Sequence, residues 1–388
     1  MIDQIYHRLG SEVLTESALH NTSWPLADPS KVEQKVLAWS ETDSRLLDEA
    51  IANVDFDFER FRASVADLPP VEQIWRLLTH RCFNFNGVQR VRAETFWLDK
   101  IRRAVAAAEP VIIAYPLVCK IDQPAKRMTT VNVTAGEIAM IRFFRELGRA
   151  VRQFYPPGLV VRILSDATLY NSALQTPPPS AYAYMDEVRR ALAPEGAAPF
   201  VELLDYSAIL APFYRRFDEL YTRHYRRLLQ CAAVEDVGSL PTSVRASINT
   251  RRFGLAYSQL AELFGPRQIA FSRIRLEIDT LTLHALREQL AIKMACDELD
   301  LPGTIWPNAL RASCHKGLKS GRAVIGLRMY PEYYGVSRLL PYHGMPLIEP
   351  DSRRRPRLLI LPEICLRGDG ALTRVVNSDS DPVLYRRM

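Results

Sequence analysis

Between Val71 and Leu78 the apolar residues Val71, Ile74, Trp75, Leu77 and Leu78 recur at near-helical intervals, and Phe96, Trp97, Ile101 and Val105 repeat the pattern. Residues 1–105 therefore read as a helical N-terminal region. At Pro110 the texture changes. Val111-Ile112-Ile113-Ala114-Tyr115 is a continuous run of β-favouring apolar residues, as expected of a buried central strand, and Pro116 is expected to end it. After a turn-rich stretch from Cys119 to Thr130, Thr134-Ala135-Gly136-Glu137 has the form of a helix capping box. Behind it Ile138, Ile141, Phe144, Leu147, Val151 and Phe154 recur at helical spacing as far as Tyr155-Pro156-Pro157-Gly158. Leu159 to Leu164 then reads as a second strand, followed by Ser165-Asp166.

Strand, capped helix and strand make a βαβ unit, whose two strands run parallel. Open parallel sheets bind ligands beyond the carboxyl ends of their strands. Pro116–Lys120 and Ser165-Asp166 are thus expected on one ligand-facing rim. Farther on, the Pro-rich residues 171–199 read as a connection or lid, with Pro177-Pro178-Pro179 its clearest loop. Phe213–Cys231 reads as an arginine-dense helix, Ile269–Ile278 as a strand and Thr282–Leu299 as a helix. Ala309–Cys314 and Ala323–Met329 are expected strands, and the glycines of His315–Gly321 between them suit a hairpin turn. Leu340-Pro341-Tyr342-His343-Gly344 sets a histidine in a rigid bend. The expected division is a helical region over 1–105 and an α/β catalytic domain with a C-terminal α+β extension over 106–388.

Composition narrows the chemistry. With 388 residues, 48% of them hydrophobic, the chain can build a substantial core. No apolar run approaches the roughly 20 residues of a membrane span, and the first residues lack the pattern of a secretory signal. A cytoplasmic protein without membrane contact is expected. The six cysteines form no C-x-x-C pair and the seven histidines no H-E-x-x-H, so neither a disulfide scaffold nor a metal site is indicated. The net charge of +6 is carried mostly by arginine, lysine occurring only at 31, 35, 100, 120, 126, 293, 316 and 319. The dense run Arg353–Arg357 reads as a solvated loop before a strand rather than a nucleic-acid patch. Without G-x-G-x-x-G, P-loop or G-x-S-x-G sequences, a dinucleotide oxidoreductase, a P-loop enzyme and an α/β-hydrolase are set aside.

Four segments in fixed order carry a resemblance: Pro116 with Cys119-Lys120; Gly136-Glu137, Tyr155-Pro156-Pro157-Gly158 and Ser165-Asp166; Arg311-Ala312-Ser313-Cys314-His315; and Leu340–Gly344. Together they resemble the pyoverdine/dityrosine biosynthesis family, which includes bacterial isonitrile synthases. Ala167, Asn171 and Tyr342 depart from that family's glycine, aspartate and tryptophan. The resemblance implies a Rossmann-like, mostly parallel sheet flanked by helices, and an isonitrile synthase. In that reaction the amine of tyrosine or tryptophan condenses with the C2 ketone of ribulose 5-phosphate, phosphate is lost, and carbon–carbon cleavage leaves C2 as the isonitrile carbon.

The resemblance further implies no cofactor and no metal, and a downstream iron/2-oxoglutarate oxygenase as a possible partner. The expected catalytic residues are Lys120, His315 and His343 as acids and bases, with Asp166 on the substrate ammonium. Arg311, Lys316 and Lys319 are expected to clamp phosphate, and Ser165, Ser313 and Tyr342 to line the substrate site. Glu137 is expected to cap a helix, and pairing with a core carboxylate is the structural alternative for Arg311. Two other functions compete with the synthase: a different amine modification such as N-acylation, and an arginine-rich nucleic-acid-binding protein.

Overall fold

The computed structural model describes residues 33–52, 56–84, 90–117, 132–165, 168–170, 178–230, 284, 287–313, 324–330, 340–361, 363–367 and 369–387. In chain order the strands among them are β1 (Lys35–Ala38), β2 (Val111–Leu117), β3 (Leu159–Ser165), β4 (Val201–Asp205), β5 (Leu310–Ser313), β6 (Ile325–Gly326), β7 (Met345–Pro350), β8 (Pro356–Leu361), β9 (Thr373–Val376) and β10 (Pro382–Arg386). They form two five-stranded sheets, ordered β4-β3-β2-β5-β6 and β1-β9-β10-β7-β8. Every pairing in the first sheet is parallel. Its chain order moves outward from β2 through β3 to β4 and then resumes on the other side of β2, so the order reverses between β2 and β5. That is the Rossmann-like arrangement, with its switch point where such sheets bind ligands.

The helix Ala135–Arg152 covers one face of this sheet. Its capping box forms as expected: the Thr134 backbone N–H donates to Glu137 Oε2 (2.8 Å), and the Gly136 N–H donates to Thr134 Oγ1 (3.3 Å). Its apolar stripe is buried, with Ile141, Phe144, Leu147 and Val151 all inaccessible to solvent. The Phe144 ring lies 5.4 Å from that of Tyr115 on β2. At the far end Tyr155 donates its hydroxyl to the Glu109 carbonyl (2.7 Å), just before β2 begins. The helix therefore ends beside the start of β2 and begins on the side where β2 finishes.

The helices Glu41–Ala52, Phe58–Val65, Pro70–Leu78 and Arg90–Ala106 match the helical reading of the N-terminal region. Among the described residues no helix is long and apolar enough to cross a membrane.

The mainly helical N-terminal region also supplies one strand: β1 pairs in parallel with β9, Lys35 opposite Thr373. The structure corrects three local expectations. Pro116 does not end β2, which continues through Leu117 in register with Ser165, because one forgone N–H bond at a strand end costs little. Pro178 and Pro179 begin the helix Pro178–Leu192, since proline is tolerated in a first turn. β5 and β6 run parallel, Ser313 opposite Gly326, so the segment joining them is not a hairpin turn. The Ile269–Ile278 strand lies outside the described residues, and the helix expected over Thr282–Leu299 is described over 287–299.

Charged pairs tie the helix Glu41–Ala52 both to the second sheet and to the helix Ala135–Arg152. Asp43, 1% exposed, accepts from Arg386 (2.7 Å). Arg142 on the helix Ala135–Arg152 donates to Glu195 (2.5 and 3.0 Å) and Asp48 (2.9 Å). The arginines at 353–355 turn the chain from β7 into β8, held by Asp351, which accepts from the Arg353 and Arg355 backbone N–H groups (both 2.8 Å). Those contacts agree with a solvated loop before a strand.

Candidate active site

Register fixes where the strands of the parallel sheet finish. Leu117 lies opposite Ser165 and Ser165 opposite Asp205, while Ala114 opposite Arg311 puts the end of β5 level with the end of β2. The four strands thus end on one rim, with β6 ending opposite Ser313. Three sequence segments singled out for chemistry leave the sheet here: Cys119-Lys120 just beyond β2, Asp166 just beyond β3 and His315 just beyond β5. Lys120, Asp166, His315, Lys316 and Lys319 themselves lie outside the described residues, as do Ala167 and Asn171.

A fourth segment reaches the same rim. Pro341–His343 forms a 3-10 turn between Leu340 and β7, and it packs against the first turn of the helix Ala135–Arg152. Gly136 makes that approach possible: a Cβ there would sit 3.2 Å from the Pro341 carbonyl oxygen and 3.4 Å from Ile360 Cδ1. The Gly136-Glu137 pair thus has a physical account on both sides. The glycine admits the turn, and the buried Glu137 carboxylate caps the helix and accepts from the Tyr184 hydroxyl (3.0 Å). Gly136→Ala is expected to keep stability within about 1 kcal/mol, because lower chain entropy offsets the crowding. Displacing the His343 turn should still cost about tenfold in turnover, as paired unfolding and rate measurements would show.

The remaining candidates separate by face. Ser165 is wholly buried at the end of β3, and its hydroxyl has no hydrogen-bond partner among the described residues. Strand alternation puts it on the face that carries the helix Ala135–Arg152, along with Val161 and Ile163. Arg311 and Ser313 project from the opposite face of β5. There Arg311 makes an ion pair with Asp297 on the helix 287–299 and lies 3.8 Å from Asp300. Its charge is met by carboxylates, which is the structural alternative to a phosphate clamp. Asp300 also acts on Lys100, whose ammonium donates to the Ala309 carbonyl (2.8 Å) at the start of β5. Burial holds Lys100 below the ordinary lysine range, opposed in part by Asp300. Tyr342 is 2% exposed and belongs to the main core, so its ring packs the turn rather than facing an open site. The His343 backbone is described, and its side chain is not.

Sequence reasoning passed over one group on this rim. Asp205 ends β4 and caps the short helix Tyr206–Leu210, its Oδ1 accepting from the Ser207 backbone N–H (2.9 Å) and from the Thr168 hydroxyl (3.1 Å). The Thr168 and Ser207 hydroxyls are 2.6 Å apart. The available signal was the alternation Val201-Glu202-Leu203 running into Asp205-Tyr206-Ser207, a short strand closed by a helix cap. No cluster of three or more metal-ligating side chains occurs among the described residues.

The sequence pattern described as pyoverdine/dityrosine biosynthesis protein matches residues 101–262. The crystal structure of the PvcA protein from Pseudomonas aeruginosa is similar to this chain with a TM-score of 0.58 and 16% identity, over 82% of this chain and 100% of that one. At that identity the likeness speaks for the fold alone. A tryptophanyl-tRNA synthetase homolog from Entamoeba histolytica aligns with a TM-score of 0.25 and 14% identity over 63% of this chain and 60% of its own, too loosely to bear on fold or function. No curated protein matches the sequence. The chain thus carries the sequence pattern of the pyoverdine/dityrosine biosynthesis family over residues 101–262 and shares the fold of PvcA.

Proposed function

We propose that this protein is an isonitrile synthase-like enzyme that joins the amine of a tyrosine- or tryptophan-like amino acid to ribulose 5-phosphate. One observation carries the reading: β2, β3 and β5, whose ends lead into the family's lysine, aspartate and histidine segments, all finish on one rim beside the Pro341–His343 turn. A reaction of this kind needs such convergence. A base must free the amine for attack on the C2 ketone, an acid must help water and then phosphate depart, and fixed positive charge must meet the phosphate. In this reading Lys120, His315 and His343 move protons and Asp166 adds negative charge near the substrate ammonium. With Arg311 committed to Asp297, the phosphate falls to Lys316 and Lys319. The isonitrile product would suit a following iron/2-oxoglutarate oxygenase.

The test is to incubate the purified protein with a panel of amino acids and ribulose 5-phosphate. Phosphate release together with the infrared absorption of an N≡C group supports the reading. An acylated amine formed without phosphate release would replace it with simple N-acylation.

A further inference from the structure

Asp205 and Ser165 occupy paired positions at the ends of adjacent parallel strands, so their side chains project from the same face of the sheet. Ser165 is wholly buried and its hydroxyl has no partner among the described residues. A buried hydroxyl left unbonded costs about 1–3 kcal/mol, and a site at the ligand-binding rim is where such a cost is recovered when a ligand arrives. Beside it, only one oxygen of the half-buried Asp205 carboxylate is used. Oδ1 accepts from Ser207 and Thr168, while Oδ2 accepts nothing among the described residues. Both Oδ1 partners are neutral, and no lysine or arginine among the described residues pairs with this carboxylate. Among the described residues, the rim therefore offers a negative charge without a cationic partner next to an unbonded hydroxyl.

That combination selects a ligand with several N–H donors and a positive charge. A sugar hydroxyl would satisfy the geometry and leave the charge unbalanced. We propose that Asp205 Oδ2 and Ser165 Oγ form the subsite for the ammonium group of the amino-acid substrate. The ammonium donates one hydrogen to each, on the face of the sheet that carries the helix Ala135–Arg152. Thr168 and Ser207 orient the carboxylate through its other oxygen. The assignment rests on the proposed reaction in taking an amine as the substrate's reacting group.

Binding of tyrosine and tryptophan, each against its des-amino propionate, measured calorimetrically without sugar phosphate, tests it separately from turnover. The wild-type protein should prefer at least one amine to its des-amino analogue. Asp205→Asn keeps the cap, since asparagine caps as well as aspartate, and removes the charge. It should weaken the amine by about 10–100-fold and leave the analogue unchanged. Ser165→Ala should weaken the amine by about 3–10-fold with no loss of thermal stability. If Asp205→Asn binds the amine as tightly as wild type does, or if wild type binds neither amine in preference to its analogue, the subsite is overturned. Isonitrile formation undiminished in Asp205→Asn would likewise overturn it while leaving the proposed reaction standing. Amine binding that depends on Asp205, without any isonitrile, would instead uphold the subsite and remove the reaction.

Discussion

Lys120→Ala is expected to reduce turnover by about 10²–10⁴-fold, the range over which a positioned acid or base contributes. Two features of the chain support so large an effect. Lys120 follows β2 in sequence, and β2 borders β5 at the switch point of a parallel sheet, the position at which such sheets bind ligands. Lysine is also scarce here, with eight in 388 residues, and four of the eight fall in the segments that follow β2 and β5. Since residue 120 lies past the strand rather than within it, the thermal midpoint should stay where it is. Steady-state rates and an unfolding curve on the same preparation check both halves. A rate within a factor of about three of wild type, well short of a lost acid or base, would remove Lys120 from the mechanism. A fallen midpoint would make its role structural.

Phe144→Ala should cost about 3–5 kcal/mol of stability, the largest single loss expected from a core truncation. The Phe144 ring is fully buried, lies 5.4 Å from Tyr115 and 6.2 Å from Phe143, and holds the helix Ala135–Arg152 on the sheet. Tyr115 in turn donates to the Leu327 carbonyl (2.7 Å), so the cavity would open where β2, the helix and the chain beyond β6 meet. The same helix presents Gly136 to the His343 turn, and loosening it should lower turnover as well. Urea unfolding followed by circular dichroism measures the loss. A change below about 1 kcal/mol would mean the site collapses around the smaller side chain.

What the sequence conveyed well was local. The run Val111–Tyr115, the run Leu159–Leu164 and the capping box between them contain their own evidence, because alternation, apolar content and the Thr134–Glu137 pair act over a few residues. From these the βαβ unit and its shared rim followed without further information. Long-range pairing was another matter. β1 consists of four residues, mostly exposed, whose only reason to be a strand is β9, more than 300 residues later. β5 and β6 look like a hairpin because glycines separate them, yet each strand takes its direction from the parallel sheet it joins.

The candidate site divides in the same way. The strand ends could be placed from sequence, whereas the partners of individual side chains could not. Nothing local reveals that Arg311 reaches Asp297, that Tyr342 is buried in the core, or that Asp205 lies opposite Ser165. These depend on helix packing and on register across the sheet.

The central claim is that this rim transfers one sugar carbon to an amino-acid nitrogen. Ribulose 5-phosphate labelled with carbon-13 at C2, incubated with the protein and its preferred amino acid, tests that transfer directly. The account predicts the label in the N≡C carbon of the product, with one phosphate released for each isonitrile formed. Label remaining wholly in sugar-derived material, or a modified amine formed with no phosphate released, would contradict it.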